Sequence, residues 1–317
     1  MYISEAVEGY KIDKQASFYS INTLIGYQTH FNQLIGFLWD VELSSVSSDD
    51  LKRFFIFLRN DYVPKRFSGN KEPLRTTTLR NAWCAVRSLF TWAERDLKIT
   101  RPDLDLKRLD VNYPEIVPFT TGEIASLLKA CEYSKPSKTI RRKSFVMKRQ
   151  TGKRDRAMIL FLLDTGVRVS ELIRLKIKDI NIENGSAEII PEGSGRKSRG
   201  RTVYIGSTTK KALWLYLNHI SKDNYVFMSI DHRSMTRNAI RQLLSKLGKA
   251  VGIAGVHPHR FRHTFAIKYL RNGGDVFTLQ RLLGHSTLEM VRYYLLIAKA
   301  DVQNTYKSAS PVDRWGL

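Results

Sequence analysis

The chain has 317 residues, 43% of them hydrophobic, and its 52 Lys+Arg against 30 Asp+Glu give a formal charge of +22. That length and composition suffice for two domains with cores of their own and exclude a disordered chain, while the charge far exceeds what solubility needs and points to a polyanion, nucleic acid first. Cys84 and Cys131 sit in no pairing or metal-ligand pattern, no basic-then-apolar leader opens the chain, and no apolar run approaches the ~18 residues of a membrane span; the expectation is a protein of a reducing compartment, cytoplasmic, or nuclear if the cell has a nucleus, without structural zinc.

The charge is unevenly spread. Residues 1–117 carry 16 basic and 15 acidic side chains, residues 118–317 carry 36 and 15, so +21 of the +22 lies in the second part. About 16 residues precede the first predicted helix, 17–39, in which Leu24, Tyr27, Phe31, Leu34, Ile35 and Leu38 recur at helical spacing. Ser47-Ser48-Asp49-Asp50 offers an N-cap to a second helix, Leu51 to about Arg59. Beyond a Pro/Gly/Ser-bearing loop, Thr76 to about Leu97 repeats the pattern through Leu79, Trp83, Val86, Phe90 and Ala93. Arg75, Arg80 and Arg87 lie on its other side without nearby acids, as a solvated face or as one laid against DNA phosphates. The proline-punctuated stretch from Arg101-Pro102 to Val117-Pro118 separates two domains, and the boundaries expected are 1–110, a linker at 111–118, and 119–317.

The second domain opens on a Thr120-x-x-Glu123 capping box, starting a helix to about Cys131. Residues 134–156 hold ten Lys/Arg and a single acid with few apolar residues, which predicts a solvated, mobile loop, or beside DNA a clamp on the backbone. Asp155 to Leu163 reads as a buried helix that Gly166 terminates, and Ser170 caps a next helix, Glu171 to about Lys178, leaving Arg168 in the short connection. Residues 187–190 and 201–205 read as strands around a loop rich in Gly and basic residues. Helices are expected near 208–220 and 233–248. In His257-Pro258-His259-Arg260-Phe261-Arg262-His263, Pro258 suits a first helical turn, which puts His259 and Arg262, three apart, on one face.

His285 and Tyr294 are nine residues apart, and nine steps of about 100° would leave them half a turn out of phase on one helix. Leu282-Leu283-Gly284 reads as a helix end and Ser286-Thr287-Leu288-Glu289 as a second capping box, so the chain turns there and a new helix carries Tyr293-Tyr294 toward a site shared with His285. The tail from Ala298 to Leu317 has too little apolar surface to fold alone.

Thr165-Gly166-Val167-Arg168-Val169-Ser170-Glu171-Leu172, the basic hairpin, His259-x-x-Arg262-His263-Thr264-Phe265-Ala266, and Leu283-Gly284-His285-Ser286 with a tyrosine nine positions after the histidine occur in order. Over nearly its whole length the chain resembles the tyrosine recombinases, the phage-integrase family, in a simple two-domain form like chromosome-dimer-resolution and mobile-element recombinases. The resemblance implies a mainly α fold with a small β component: an N-terminal helical, SAM-like core-binding domain and a C-terminal mixed α/β catalytic domain closing around double-stranded DNA. It implies cleavage and rejoining through a 3′-phosphotyrosyl bond with no metal and no cofactor, by a protein that is monomeric when free and a homo-tetramer in the synaptic complex. The segment before the first helix is too short for the extra arm-binding domain of some phage integrases, and the C-terminal tail would dock on a neighbouring protomer.

Carried over by position, Arg168, His259, Arg262, His285 and Tyr294 are the expected catalytic residues, with Glu171 in support. Arginines stay charged and fork onto phosphate oxygens, histidines donate to the non-bridging oxygens and one assists deprotonation, and a phenol of pKa ~10 needs such an electropositive pocket to attack at neutral pH. The family's general acid is a hairpin lysine. Here the loop is longer than usual: counting back from the second strand lands on Arg196 and forward from the first on Ser194. Lys197, the loop's only lysine, is the expected acid, because an arginine is too weak a proton donor. Arg75, Arg80, Arg87, Arg196 and Arg199 are expected on DNA. A type IB topoisomerase, or a regulator without activity, is the alternative class.

Overall fold

The computed structural model describes residues 1–66, 69–111, 115–133, 137–139, 142–190, 200–218, 220–221, 224–285, 287–298, 310 and 315, without the side chains of 137–139, 142–145, 289 and 290. The chain forms two compact units, Met1–Glu115 and Ile116–Leu317, dividing inside the 111–118 stretch. It is mainly helical with a small β component.

The first unit packs α1 (Ile3–Ala16), α2 (Ile21–Leu38), α3 (Ser48–Asn60) and α4 (Thr76–Leu97) around one core. The first of these helices lies where the sequence suggested only a lead-in. Ile3, Ala6, Val7 and Tyr10 are its buried face, while Ile12 and Ala16 are exposed among charged and polar residues, which left the apolar stripe too broken to read. Tyr10 anchors it, edge-on to Phe31 at 5.5 Å and to Trp92 at 6.0 Å, with its hydroxyl 2.7 Å from Ser88 Oγ. At the start of α3, Asp50 N donates to Ser47 Oγ and Ser47 N to the Asp50 carboxylate, so two otherwise orphaned backbone donors are satisfied.

In the second unit, α5 (Thr121–Glu132) opens with the Thr120/Glu123 box. The backbone then forms the antiparallel pair β1 (Ser137–Thr139) and β2 (Arg142–Phe145) before α6 (Gly152–Thr165). The expected loop at 134–156 is therefore replaced by strands and a helix start. Asp155 is the cause at its end: fully buried, it draws Arg149 to 2.7 Å and Arg154 to 2.8 Å, because a buried carboxylate without cations would be severely destabilised. Apolar side chains from Ala157 to Leu162 are buried on every side of α6, which makes it the central element of this unit's core.

Gly166 (φ +60°) ends α6, and α7 is only Val169–Leu172. The expected helix from Glu171 to Lys178 under a Ser170 cap is not formed. Arg168 is the N-cap, its N–H donating to the Glu171 carboxylate at 2.8 Å, and the chain passes into a 3₁₀ turn at Ile177–Asp179. An antiparallel sheet follows, β3 (Ile180–Asn181), β4 (Ser186–Ile189) and β5 (Arg201–Tyr204), with Ile189 opposite Arg201. Then come α8 (Ser207–Leu217), α9 (Arg237–Ala250), α10 (Pro258–Arg271), α11 (Val276–Leu283) and α12 (Glu289–Ala298). The last three share a second apolar cluster that includes Ile267, Leu270, Leu283, Val291 and Tyr294. No helix among the described residues is long and apolar enough to cross a membrane.

Candidate active site

Two left-handed glycines begin the site. At Gly166 a Cβ would stand 2.5 Å from Phe265 Cδ1, so both backbone angle and space demand glycine, and the chain turns there to present Arg168 at the head of α7. Gly284 (φ +64°) ends α11 in the same manner and delivers His285 directly after it.

Glu171 ties the first turn together. Its carboxylate accepts from Arg168 Nη1 at 3.1 Å and receives a two-pronged pair from Arg201, Nη1 at 2.9 Å and Nη2 at 2.8 Å. Burial would push this carboxyl up, but the Arg201 hydrogen bonds and charge, with the Arg168 N–H and charge, hold it down at about 2. Arg201 Nε also donates to the Leu282 carbonyl, so one guanidinium at the start of β5 joins the hairpin, α7 and the end of α11.

The N-terminus of α10 supplies the next groups. His257 is its cap, Nδ1 accepting from Arg260 N at 3.3 Å, and Pro258 occupies the first turn. Arg262 is 4% exposed, yet its hydrogen bonds go to neutral acceptors: Nη1 to the Gly166 carbonyl, Nη2 to the Leu283 carbonyl and to His285 Nε2, each at 2.8 Å. Burial, then the charge of Arg168, pull its pKa down to about 9, which still leaves it cationic at neutral pH. Because a guanidinium only donates, His285 Nε2 is the acceptor and Nδ1 carries the ring proton; that Nδ1 is buried with no partner among the described residues. Burial and the charges of Arg262, Arg168 and Arg201 hold His285 down at about 3, and burial with Arg262 lowers His259 as well.

Tyr294, on α12, is 1% exposed and packs with the α10–α11–α12 core. Its ring lies 6.4 Å from that of His285, nearly parallel, and its hydroxyl is 2.8 Å from His263 Nδ1. Burial raises the phenol pKa and the charges of Arg262 and Arg168 oppose the rise. Tyr293 next to it is part-exposed and shares none of these contacts.

The structure thus gathers Arg168, Glu171, His259, Arg262, His285 and Tyr294. Lys197, Arg196, Arg199 and Ser286 lie outside the described residues, as does the tail apart from Ala298, Ser310 and Trp315. Arg75, Arg80 and Arg87 belong to the other unit, with the Arg87 guanidinium 5.0 Å from the Trp83 ring centre. Sequence reasoning missed Arg201 and gave His263 no role; the one available signal was that His263 follows His259 by a helical turn. Among the described residues no cluster of three or more His, Cys, Asp or Glu side chains could hold a metal ion. What the cluster can do is receive an anion: two fixed guanidiniums, an orphaned imidazole N–H and a phenol stand together.

Comparison with known proteins accords with this geometry. Residues 119–300 match the phage integrase family. The chain is similar to the tyrosine recombinase XerC of Staphylococcus carnosus, 25% identical over 309 residues that cover 94% of each protein, and to the tyrosine recombinase XerA of Saccharolobus solfataricus, 28% identical over 284 residues covering 89% of this chain and 85% of that protein. Among solved structures, the Tn1549 transposon integrase in complex with a circular intermediate DNA has a TM-score of 0.73 at 20% identity, covering 96% of this chain and 99% of that one. A lambda integrase dimer bound to a COC′ core site has 0.69 at 16%, covering 92% and 97%. These two likenesses establish the fold. The family match and the named relatives define an enzyme that cleaves and rejoins DNA strands. The chain belongs to the phage integrase family, the tyrosine recombinases, and its activity is site-specific recombination by cleavage and rejoining of DNA strands through a 3′-phosphotyrosyl intermediate.

Proposed function

We propose that Tyr294 is the nucleophile and that the scissile phosphate sits against Arg168, Arg262, His259 and His285. The observation that carries this reading is Arg262, which bonds at once to the turn before Arg168, to the end of α11 and to His285, while Tyr294 lies within the same cluster. The two guanidiniums neutralise the charge growing on the pentacoordinate phosphorus, and they are held before the substrate arrives, so no reorganisation is needed at the moment of reaction. His285 Nδ1–H and His259 donate to the non-bridging oxygens. Glu171 and Arg201 fix Arg168 and the hairpin. Lys197 protonates the leaving 5′-oxygen, and the phosphotyrosyl bond conserves the energy with which a 5′-hydroxyl later reverses the step.

The substrate is double-stranded DNA carrying recombination sites. Arg75 at the N-cap of α4, Arg80 and Arg87 on α4, and Arg196 and Arg199 in the hairpin loop take backbone phosphates, and the protein acts in the cytoplasm as a tetramer on paired sites. Ending the chain at Lys299 should spare binding to one site and impair assembly on two; tetrameric complexes of normal yield on native gels would remove the tail from that role.

Trapping on nicked DNA tests the chemistry, since loss of the short fragment that bears the 5′-hydroxyl leaves the covalent adduct. Mapping should place the DNA on Tyr294, Tyr294→Phe should bind but form no adduct, and Tyr293→Phe should form one, because adjacent helical residues diverge by about 100°. An adduct lost only in Tyr293→Phe would reverse the assignment.

A further inference from the structure

The hydroxyl of Tyr294 is held by a histidine to which the roles above assign nothing. His263 Nδ1 lies 2.8 Å from Tyr294 Oη, with ring centroids 5.6 Å apart. His285 cannot serve that oxygen in the same way, since its Nε2 is committed to Arg262 and its ring lies nearly parallel to the phenol. His263 stands one helical turn beyond His259 on α10, the two rings 6.4 Å apart, so the partner of the phenol and the His259/Arg262 pair share one face of the helix.

The surrounding charges decide where the proton lies. Burial, then His259, Arg262 and His257 on its own helix, hold His263 down at about 4, while Arg168 and Arg262 are the cations whose fields reach Tyr294. At neutral pH the imidazole is therefore uncharged with a lone pair to offer, and the buried phenol keeps its proton. With the ring proton on Nε2, the tautomer this role requires, Oη–H donates to Nδ1.

We propose that His263 accepts the proton of Tyr294 as the tyrosine attacks the scissile phosphorus, a role that rests on Tyr294 being the nucleophile. The Oη–P bond forms and the P–O5′ bond breaks; the phenol proton passes to Nδ1, giving an imidazolium, and the departing 5′-oxygen takes a proton from the hairpin's general acid or from water. In the reverse step the imidazolium returns its proton to the tyrosine oxygen. Before DNA binds, a weak base facing a weak acid keeps the nucleophile protonated and unreactive. A phosphodiester anion against His259 and Arg262 offsets the positive charge that adds to burial in depressing His263, so the base strengthens when substrate is in place.

Single-turnover adduct formation on a nicked duplex that the wild-type protein cleaves provides the test. His263→Asn keeps a hydrogen-bond acceptor near the Nδ1 position but cannot take a proton, and His263→Ala removes both. Each should bind the duplex with the wild-type Kd and form adduct roughly 10²-fold more slowly, within the usual range for removal of a general base. Fluorotyrosine at position 294, whose phenol loses its proton more readily, should restore much of the rate in His263→Asn. Wild-type cleavage by His263→Asn, or slow cleavage that fluorotyrosine leaves unmoved, overturns the proposal. Tyr294→Phe is assayed beside them: an adduct formed by that variant would instead overturn the choice of nucleophile.

Discussion

Arg168 and Glu171 show how single residues divide the work of this site. Arg168 keeps a part-exposed guanidinium, 26% accessible, that can still reach a ligand, whereas Glu171 is 2% accessible and is held between arginines. Arg168→Ala should therefore lower the adduct-forming rate by about 10²–10³, the usual loss for one charge-stabilising donor, with little change in Kd; a wild-type rate in single-turnover assays would remove Arg168 from the reaction. Glu171 is a question of stability. Its carboxyl lies at about 2 in the fold against an ordinary 4.5, so the pair's contribution is fully present above pH 4.5 and is lost as the pH falls through 2. The difference corresponds to roughly 3 kcal/mol. Denaturant unfolding between pH 6 and 2 should show a larger fall in wild-type stability than in Glu171→Gln, the variant being the less stable of the two at neutral pH because Arg201 is left buried without its carboxylate. Parallel pH profiles for the two proteins would refute this.

At the scale of elements, the site is built from ends rather than middles. Arg168 caps the start of the short helix α7, α10 begins beside His259, α11 ends just before His285, and β5 begins at Arg201. Helix ends expose backbone carbonyls, and Arg262 uses two of them, at Gly166 and Leu283, to lock α6, α10 and α11 in register. The glycine at the first of those ends has no substitute: Gly166→Ala must adopt a left-handed backbone and push Phe265 aside. We expect it to cost about 2–4 kcal/mol of unfolding free energy, from backbone strain and overpacking together, and to slow cleavage as well by displacing Arg168. Chemical denaturation reads the first effect, and a loss below about 0.5 kcal/mol would mean that the packing of α6 on α10 yields easily.

Across the whole molecule the decisive quantity is charge. The second unit holds nearly all of the +22 excess, and binding a polyanion with it displaces condensed counterions, so log Kd for site DNA should change with log salt with a slope of several units. Removing residues 134–146, upstream of the Arg149–Asp155 pair, should flatten that slope by about one unit for each phosphate the segment neutralises. Titrations at 50–300 mM salt measure both, and an unchanged slope would leave the β1–β2 segment with no part in DNA binding.

What the sequence determined by itself was whatever is satisfied within a few residues. The Thr120/Glu123 box, Pro258 in the first turn of α10 and the glycines closing α6 and α11 are local events, settled within three or four positions. The ordered motifs named the family for the same reason, each being a short segment with its own backbone requirement. Tertiary structure alone decided the partners that lie far along the chain. Arg201 meets Glu171 across 30 residues and His263 meets Tyr294 across 31, while α1 is fixed by the packing of Tyr10 against Phe31 and Trp92. In each case the side chain's neighbours in sequence say nothing, because a buried charge or hydroxyl takes its partner from whichever element packing brings beside it. The paired Tyr293 and Tyr294 show both sides of this: spacing singled out the second, but only the fold revealed that its hydroxyl rests on His263.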